Sequence, residues 1–154
     1  MIEVGLISDT HKLLRPEAIE ALRGCSHIVH AGDIGDPGVI EALTALAPVT
    51  AIRGNVDKGE WASSYPEDDV LEVDGRFIYV LHNLNDLDLD PIAAGFDVVV
   101  SGHSHKPDVR SEDGVLYVNP GSAGPRRFSL PICVGRLVVD VDSVRAELIE
   151  LPHS

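Results

Sequence analysis

Apolar residues fall in short runs broken by polar turns, and their spacing switches between strand and helix periods along the chain. Residues 2–8 form an apolar run suited to a buried strand. Pro16 opens a helix that Gly24 closes, with Ala18, Ile19, Ala21 and Leu22 as its apolar stripe. A second strand is expected at 27–31. Asp36-Pro37, a cap followed by proline, starts a helix that runs to about Leu46, and a third strand follows at 49–53. This β-α-β-α-β order favours a parallel sheet with right-handed crossovers.

Beyond residue 69 the pattern turns to hairpins. Strands at 70–73 and 76–81 flank Asp74-Gly75, a two-residue turn signal. A short helix at 89–94 precedes a buried strand at 96–101. Strands at 109–111 and 115–119 flank Glu112-Asp113-Gly114, and strands at 132–141 and 144–151 flank Asp142-Ser143. The expected fold is α/β: a four-layer α/β/β/α sandwich of two mixed sheets flanked by helices, in one domain over 1–154. The stretch 60–69, with Trp61 and Tyr65, is the least regular. Those two rings read as core in preference to a loop wall.

Composition narrows the function. The chain has 154 residues and a formal charge of −13, with 5% aromatics. Such acidity repels nucleic-acid backbones and anionic membranes, so long nucleic acid is an unfavourable partner. The N-terminus lacks a basic leader pattern and no apolar run approaches membrane-spanning length, which reads as cytoplasmic. Cys25 and Cys133 form no zinc or disulfide pattern and read as small buried apolar residues.

Metal-binding side chains gather where strands end. Asp9 and His11 follow the first strand, and His30, Gly32 and Asp33 the second. Gly54, Asn55 and Asp57 follow the third, His82 and Asn83 end the strand at 76–81, and Gly102, His103 and His105 follow the strand at 96–101. Ligands bind outside the carboxyl ends of strands in open sheets. Asp9/His11 and His103/His105 are spaced i, i+2, which in extended chain points both members of a pair the same way. The glycines let backbone turn sharply and approach closely.

Taken singly, each residue has an ordinary reading. Asp9 is a cap or turn residue, Asp33 and Asn55 are turn formers, His82 is a satisfied core histidine, and His103 and His105 are a solvated pair. Together they read as ligands. His30, inside its strand, reads as structural or as a hydrogen-bonding support for the ligands. Asp57 reads either as such a support, orienting a histidine, or as a plain loop carboxylate. Arg126 and Arg127 offer a phosphate clamp or are solvated charges. His27 and His153 read as surface residues.

The ordered set of Asp9-x-His11, His30-Ala31-Gly32-Asp33, Arg53-Gly54-Asn55-Val56-Asp57, His82, Gly102-His103-x-His105 and Asn119-Pro120-Gly121-Ser122 resembles the calcineurin-like metallophosphoesterase superfamily. The likeness is to its small prokaryotic phosphodiesterase branch, to which a subunit of the retromer coat is related. The resemblance implies two divalent ions about 3.5–4 Å apart. It assigns Asp9, His11 and His105 to one ion and Asn55, His82 and His103 to the other, with Asp33 bridging. Asp33, Asn55 and His103 are then the catalytic residues. Oxygen and imidazole donors without thiolate favour Mn²⁺, with Fe²⁺, Zn²⁺ or Ni²⁺ as alternatives.

The implied activity is hydrolysis of small phosphodiesters by a hydroxide bridging the two metals. Two ions, two carboxylates and that hydroxide leave a local charge of about +1, enough to draw in a phosphate ester. The alternatives are a phosphomonoesterase or nucleotidase, and a non-catalytic protein-binding scaffold of the same fold. A homo-oligomer is left open. Val56 stands where many superfamily members carry a histidine able to protonate a leaving group, and Asn83 stands where glycine is common. Leaving-group assistance then falls to the metals, another residue or solvent.

Overall fold

The computed structural model describes residues 1–127 and 129–152, so His153 lies outside the described residues. The elements run β1 (Ile2–Ile7), α1 (Pro16–Ala21), β2 (His27–His30), α2 (Pro37–Thr44), β3 (Val49–Ala51), β4 (Asp68–Val73), β5 (Arg76–Leu81), α3 (Pro91–Ala94), β6 (Val98–Val100), β7 (Asp108–Glu112), β8 (Val115–Asn119), β9 (Cys133–Val139) and β10 (Val144–Glu150). Short 3-10 turns sit at Ala62–Ser64 and Leu84–Asp86.

Two mixed five-stranded sheets form, ordered β10-β9-β1-β2-β3 and β4-β5-β6-β8-β7. Within the first, β1, β2 and β3 are parallel. Within the second, β5, β6 and β8 are parallel. Alternation along the strands divides the apolar residues into three groups. Val4, Leu6, Val29, Val80, Val100 and Leu137 belong to the cluster shared by the two sheets. Ile7, Ile28 and Val134 face the other way and pack with residues of α1 and α2. Tyr79, Leu81, Val99 and Val115 form the outer cluster of the second sheet, with Leu84, Leu87 and Phe96 against it. This is the expected α/β sandwich, with a thin outer layer on the second sheet: α3 has only 4 residues.

Local chemistry shifts several element ends. Asp36 caps α2 by accepting from Gly38 N at 2.8 Å, with Pro37 at the first helical position. Helix α1 stops at Ala21, short of Gly24, and α3 starts at Pro91 because Asp90 caps it. The turn expected at 112–114 contains only Asp113 and Gly114, since Glu112 pairs with Val115. Asp74-Gly75 is built the same way, and both turns have two positive-φ residues, the form that matches strand twist. The turn expected at 142–143 is longer. Val139 pairs with Val144, and Asp140 N donates to Ser143 O, which pinches off four residues in place of two.

The irregular stretch places Trp61 and Tyr65 edge to face, 6.2 Å apart, against the cluster under α1 and α2. Cys25 and Cys133 are free and buried. His27 departs from the surface reading: it is half-buried, with Nε2 2.8 Å from Thr50 Oγ1 on the neighbouring strand. Among the described residues no helix is long and apolar enough to cross a membrane.

Candidate metal centre

The parallel strands of both sheets deliver their carboxyl-end loops to one place. Loop-to-loop hydrogen bonds lock them there. Asp9 N donates to Gly32 O at 3.0 Å, His11 N to Asp33 O at 2.9 Å, and Gly102 N to His82 O at 2.9 Å. Asp9, His11, Asp33, His103 and His105 all take left-handed backbone, with φ between 46° and 69°. Non-glycine residues held there cost about 1–3 kcal/mol each and concentrate at functional sites.

That backbone corrects the extended-chain expectation. Because neither i, i+2 pair is extended, His103 and His105 part company. His105 joins Asp9 and His11, while His103 joins Asp33 and His82, and the donor atoms of each triad lie within 4.8 Å of one another. Each triad draws on both sheets: Asp9, His11 and Asp33 follow β1 and β2, and His82, His103 and His105 follow β5 and β6.

The two carboxylates are arranged alike. Asp9 Oδ2 accepts from Ser8 Oγ at 2.7 Å and from His103 N at 3.1 Å. Its Oδ1 has no hydrogen-bond partner and lies 3.4 Å from His105 Nε2 and 3.9 Å from both His11 Nε2 and His82 Nε2. Asp33 Oδ1 accepts from Val56 N at 3.1 Å. Its Oδ2 lies 3.6 Å from His11 Nε2 and 3.2 Å from His82 Nε2, between the triads. The orphaned Asp9 Oδ1, His11 Nε2 and His82 Nε2 are buried and converge. Buried polar atoms without partners are costly, and divalent cations satisfy this set of oxygen and imidazole donors. The residues therefore fit metal ions.

Electrostatics follow from the crowding. Burial raises the Asp33 carboxyl's pKa, but His82, the Val56 N–H and His11 outweigh it and hold the group below the ordinary carboxylate range. Burial lowers that of His82, but Asp33, the Ala31 carbonyl and Asp9 outweigh it and hold the imidazole above its usual value. Burial prevails at His11, which stays below its usual value. His82 Nδ1 lies 2.7 Å from Ala31 O. A carbonyl only accepts, so Nδ1 carries the proton and the Nε2 lone pair is left to face the site.

The glycines work by making room. A Cβ on Gly102 would stand 2.7 Å from Asp9 Oδ2 and against Ser8 Oγ. A Cβ on Gly54 would collide with Asp33 Oδ1 and Asp33 N.

Around the triads, His30 is buried and touches none of them by a hydrogen bond. Its Nδ1 accepts from Gly32 N at 3.1 Å and its Nε2 lies 3.0 Å from Thr10 Oγ1, whose hydroxyl donates to Ile34 O at 2.9 Å. Asp57 is also buried, but it does not orient a histidine. Its carboxylate accepts from three backbone N–H groups, those of Ile34, Gly35 and Gly54, and ties the Asp33 loop to the Asn55 loop. Asn55 is exposed, with Nδ2 3.4 Å from His103 Nδ1. Asn119 Nδ2 donates to Gly102 O at 3.0 Å, and Ser122 Oγ to Asp9 O at 3.1 Å, so the Asn119–Ser122 turn braces two ligand loops. Arg126 is exposed, its Nε 3.4 Å from Leu130 O, while Arg127 lies close enough to His11 to act on its titration. Sequence reasoning missed Ser8 and Thr10. Their signal is the polar Ser8-Asp9-Thr10 run that ends an apolar strand.

Residues 2–143 match the calcineurin-like phosphoesterase superfamily domain. The chain is 32% identical over 158 residues to a probable metallophosphoesterase of Methanothermobacter thermautotrophicus, covering 95% of this chain and 91% of that protein. It is 30% identical over 138 residues to a phosphodiesterase of Methanocaldococcus jannaschii, covering 78% and 83%. A solved archaeal phosphodiesterase superposes with a TM-score of 0.79 at 25% identity, over 96% of this chain and 100% of that one. Vps29 of Chaetomium thermophilum gives 0.78 at 19% identity over 99% and 100%, a likeness of fold alone. The chain belongs to the calcineurin-like phosphoesterase superfamily, and its site has the chemistry of a metal-dependent phosphoesterase.

Proposed function

We propose that the protein is a dinuclear metal-dependent phosphodiesterase of small phosphodiesters. The observation that carries this reading is the placement of Asp33 Oδ2 between His11 Nε2 and His82 Nε2, where one carboxylate oxygen serves both triads. Asp9, His11 and His105 would hold one ion, and Asn55, His82 and His103 the other. The donor set favours Mn²⁺ over Fe²⁺, Zn²⁺ or Ni²⁺ because it lacks thiolate and includes hard carboxylates. When bound, a divalent pair supplies activated water and neutralises phosphate charge.

The chain's own residues do the positioning. Asp33 is oriented through Val56 N, so Val56 contributes its backbone while its side chain stays exposed. Asn55 and His103 bond to each other at the exposed lip of the second triad, where a substrate arrives. A phosphomonoesterase or nucleotidase would use the same carboxylate geometry, and the diester is preferred on the likeness to a phosphodiesterase. A protein-binding scaffold would not need the converging buried donors.

The test is hydrolysis of bis(p-nitrophenyl) phosphate by Mn²⁺-loaded protein beside Asp33→Ala and Asp33→Asn, with circular dichroism to confirm folding. Turnover that falls at least ~10³-fold in folded variants is the expected result. Absence of turnover in parent protein that holds two Mn²⁺ ions would overturn the reading.

A further inference from the structure

Two clefts flank the second triad, and their charges differ. One, of about 330 Å³, is lined by Glu67, Asp68, Asp86 and Asp88 against the single guanidinium of Arg53. Arg53 is itself paired with Glu67 at 3.2 Å. The other, of about 380 Å³, is lined by His103, Lys106, Arg110, Tyr117 and Asn119, with Asp108 as its one carboxylate. Asn83 lines both, so the clefts meet beside His82 and His103. On a chain of net charge −13 the second cleft is close to neutral, Lys106 and Arg110 standing against Asp108 and the Glu112 that pairs with Arg110.

This second cleft also has a flat floor. Arg110 and Tyr117 are directly opposite on the β7–β8 ladder, which puts their side chains on one face. The Arg110 Cζ lies 5.0 Å from the Tyr117 ring centroid. Glu112 Oε1 lies 3.4 Å from the guanidinium's Nη1. The side-chain ammonium of Lys106 makes no hydrogen bond or ion pair among the described residues. Beneath them Asn119 Nδ2 bonds Gly102 O and Ser104 Oγ, so the floor is tied to the loop that carries His103.

We propose that this cleft receives the nucleoside arm of a nucleotide-type phosphodiester, its base stacking on the Arg110–Tyr117 pair while Lys106 attends the phosphate. The proposal rests on the phosphodiesterase reading of the site. A guanidinium–aromatic pair suits any base, because every base offers a π face. The carboxylate cleft on the other side repels a second anionic nucleotide. The other arm is therefore short or uncharged, and the substrate is of mononucleotide size and not a strand.

Calorimetric titration of Mn²⁺-loaded protein with adenosine 5′-monophosphate and with ribose 5-phosphate separates the base from the sugar phosphate. Arg110 is exposed, so Arg110→Ala and Arg110→Lys leave the fold intact. The parent protein is expected to bind the nucleotide at least tenfold more tightly than the sugar phosphate. In Arg110→Ala, and in Arg110→Lys, which keeps the charge and loses the plane, that preference is expected to fall below twofold. Equal affinities in the parent protein, or a preference that survives both substitutions, would overturn the proposal. Bis(p-nitrophenyl) phosphate turnover is read on the same samples. Its absence would overturn the phosphodiesterase reading, while the binding ratio still decides the cleft.

Discussion

His30 Nε2 lies 3.0 Å from Thr10 Oγ1, and the proton between them belongs to the imidazole. The Thr10 hydroxyl is already committed as donor to Ile34 O, and His30 Nδ1 already accepts from Gly32 N. A second ring proton would face the Gly32 N–H donor to donor. Burial, with a smaller push from the neighbouring His82, outweighs Asp9, Asp57 and Asp33 and brings the His30 pKa down to about 4 from an ordinary 6.5. The chain Gly32–His30–Thr10–Ile34 links the loops that carry Asp9 and Asp33 in one protonation state only.

A pH dependence of stability follows. The unfolded chain takes up the His30 proton near pH 6.5, the folded chain only near pH 4, so the neutral ring's contribution is complete above 6.5 and lost as pH falls towards 4. The loss is about 3 kcal/mol across that window. Urea unfolding of metal-free protein between pH 7.5 and 4 should show this decline, and His30→Gln should flatten it. An equally steep decline in the variant would assign the effect to other groups.

Asp57→Asn replaces an acceptor of three backbone N–H bonds with an amide that turns one donor against another. Destabilisation of about 2 kcal/mol is expected, with metal affinity reduced ~10–100-fold because both ligand loops loosen. Thermal unfolding and a metal titration read the two effects. Full metal affinity in a destabilised variant would show that Asp57 serves the fold alone.

Gly102→Ala should act on the site more sharply than on the scaffold. The added methyl must displace Ser8 Oγ or the Asp9 carboxylate, at about 1–3 kcal/mol. Asp9 belongs to the first triad, so Mn²⁺ binding there should weaken while the second triad retains its ion. Counting bound Mn²⁺ per chain checks this, and two tightly held ions would contradict it.

Cys133 is 2% exposed, and burial pushes its thiol up to about 11. Native protein at pH 8 should therefore resist Cys133 alkylation, with full labelling only in denaturant. Rapid modification of native protein would disprove the burial.

Much of this architecture was legible because the local signals agree with one another. Asp74-Gly75 announces its hairpin, Asp36-Pro37 its helix, and the apolar runs their strands. The metal-binding side chains stood out because Asp9, Asp33, His82 and His105 all fall just past the ends of apolar strand runs. What stayed hidden depends on backbone sign and on distant partners. Left-handed φ at His103 and His105 separates two residues that spacing alone pairs, a split that only the family resemblance implied. The three bonds to Asp57 come from residues 22 or 23 positions earlier and from Gly54 beside it. The Arg110–Tyr117 floor exists only once the β7–β8 ladder sets its register.

Each triad takes donors from both sheets, which would make bound ions fasteners as well as reagents. Separating the sheets would tear each bound ion from part of its ligand set, so the barrier to opening should rise with metal occupancy. The unfolding rate of this protein, more than its folding rate, should then depend on free metal concentration. Chelation would shorten the lifetime of the native sandwich before it altered a single strand.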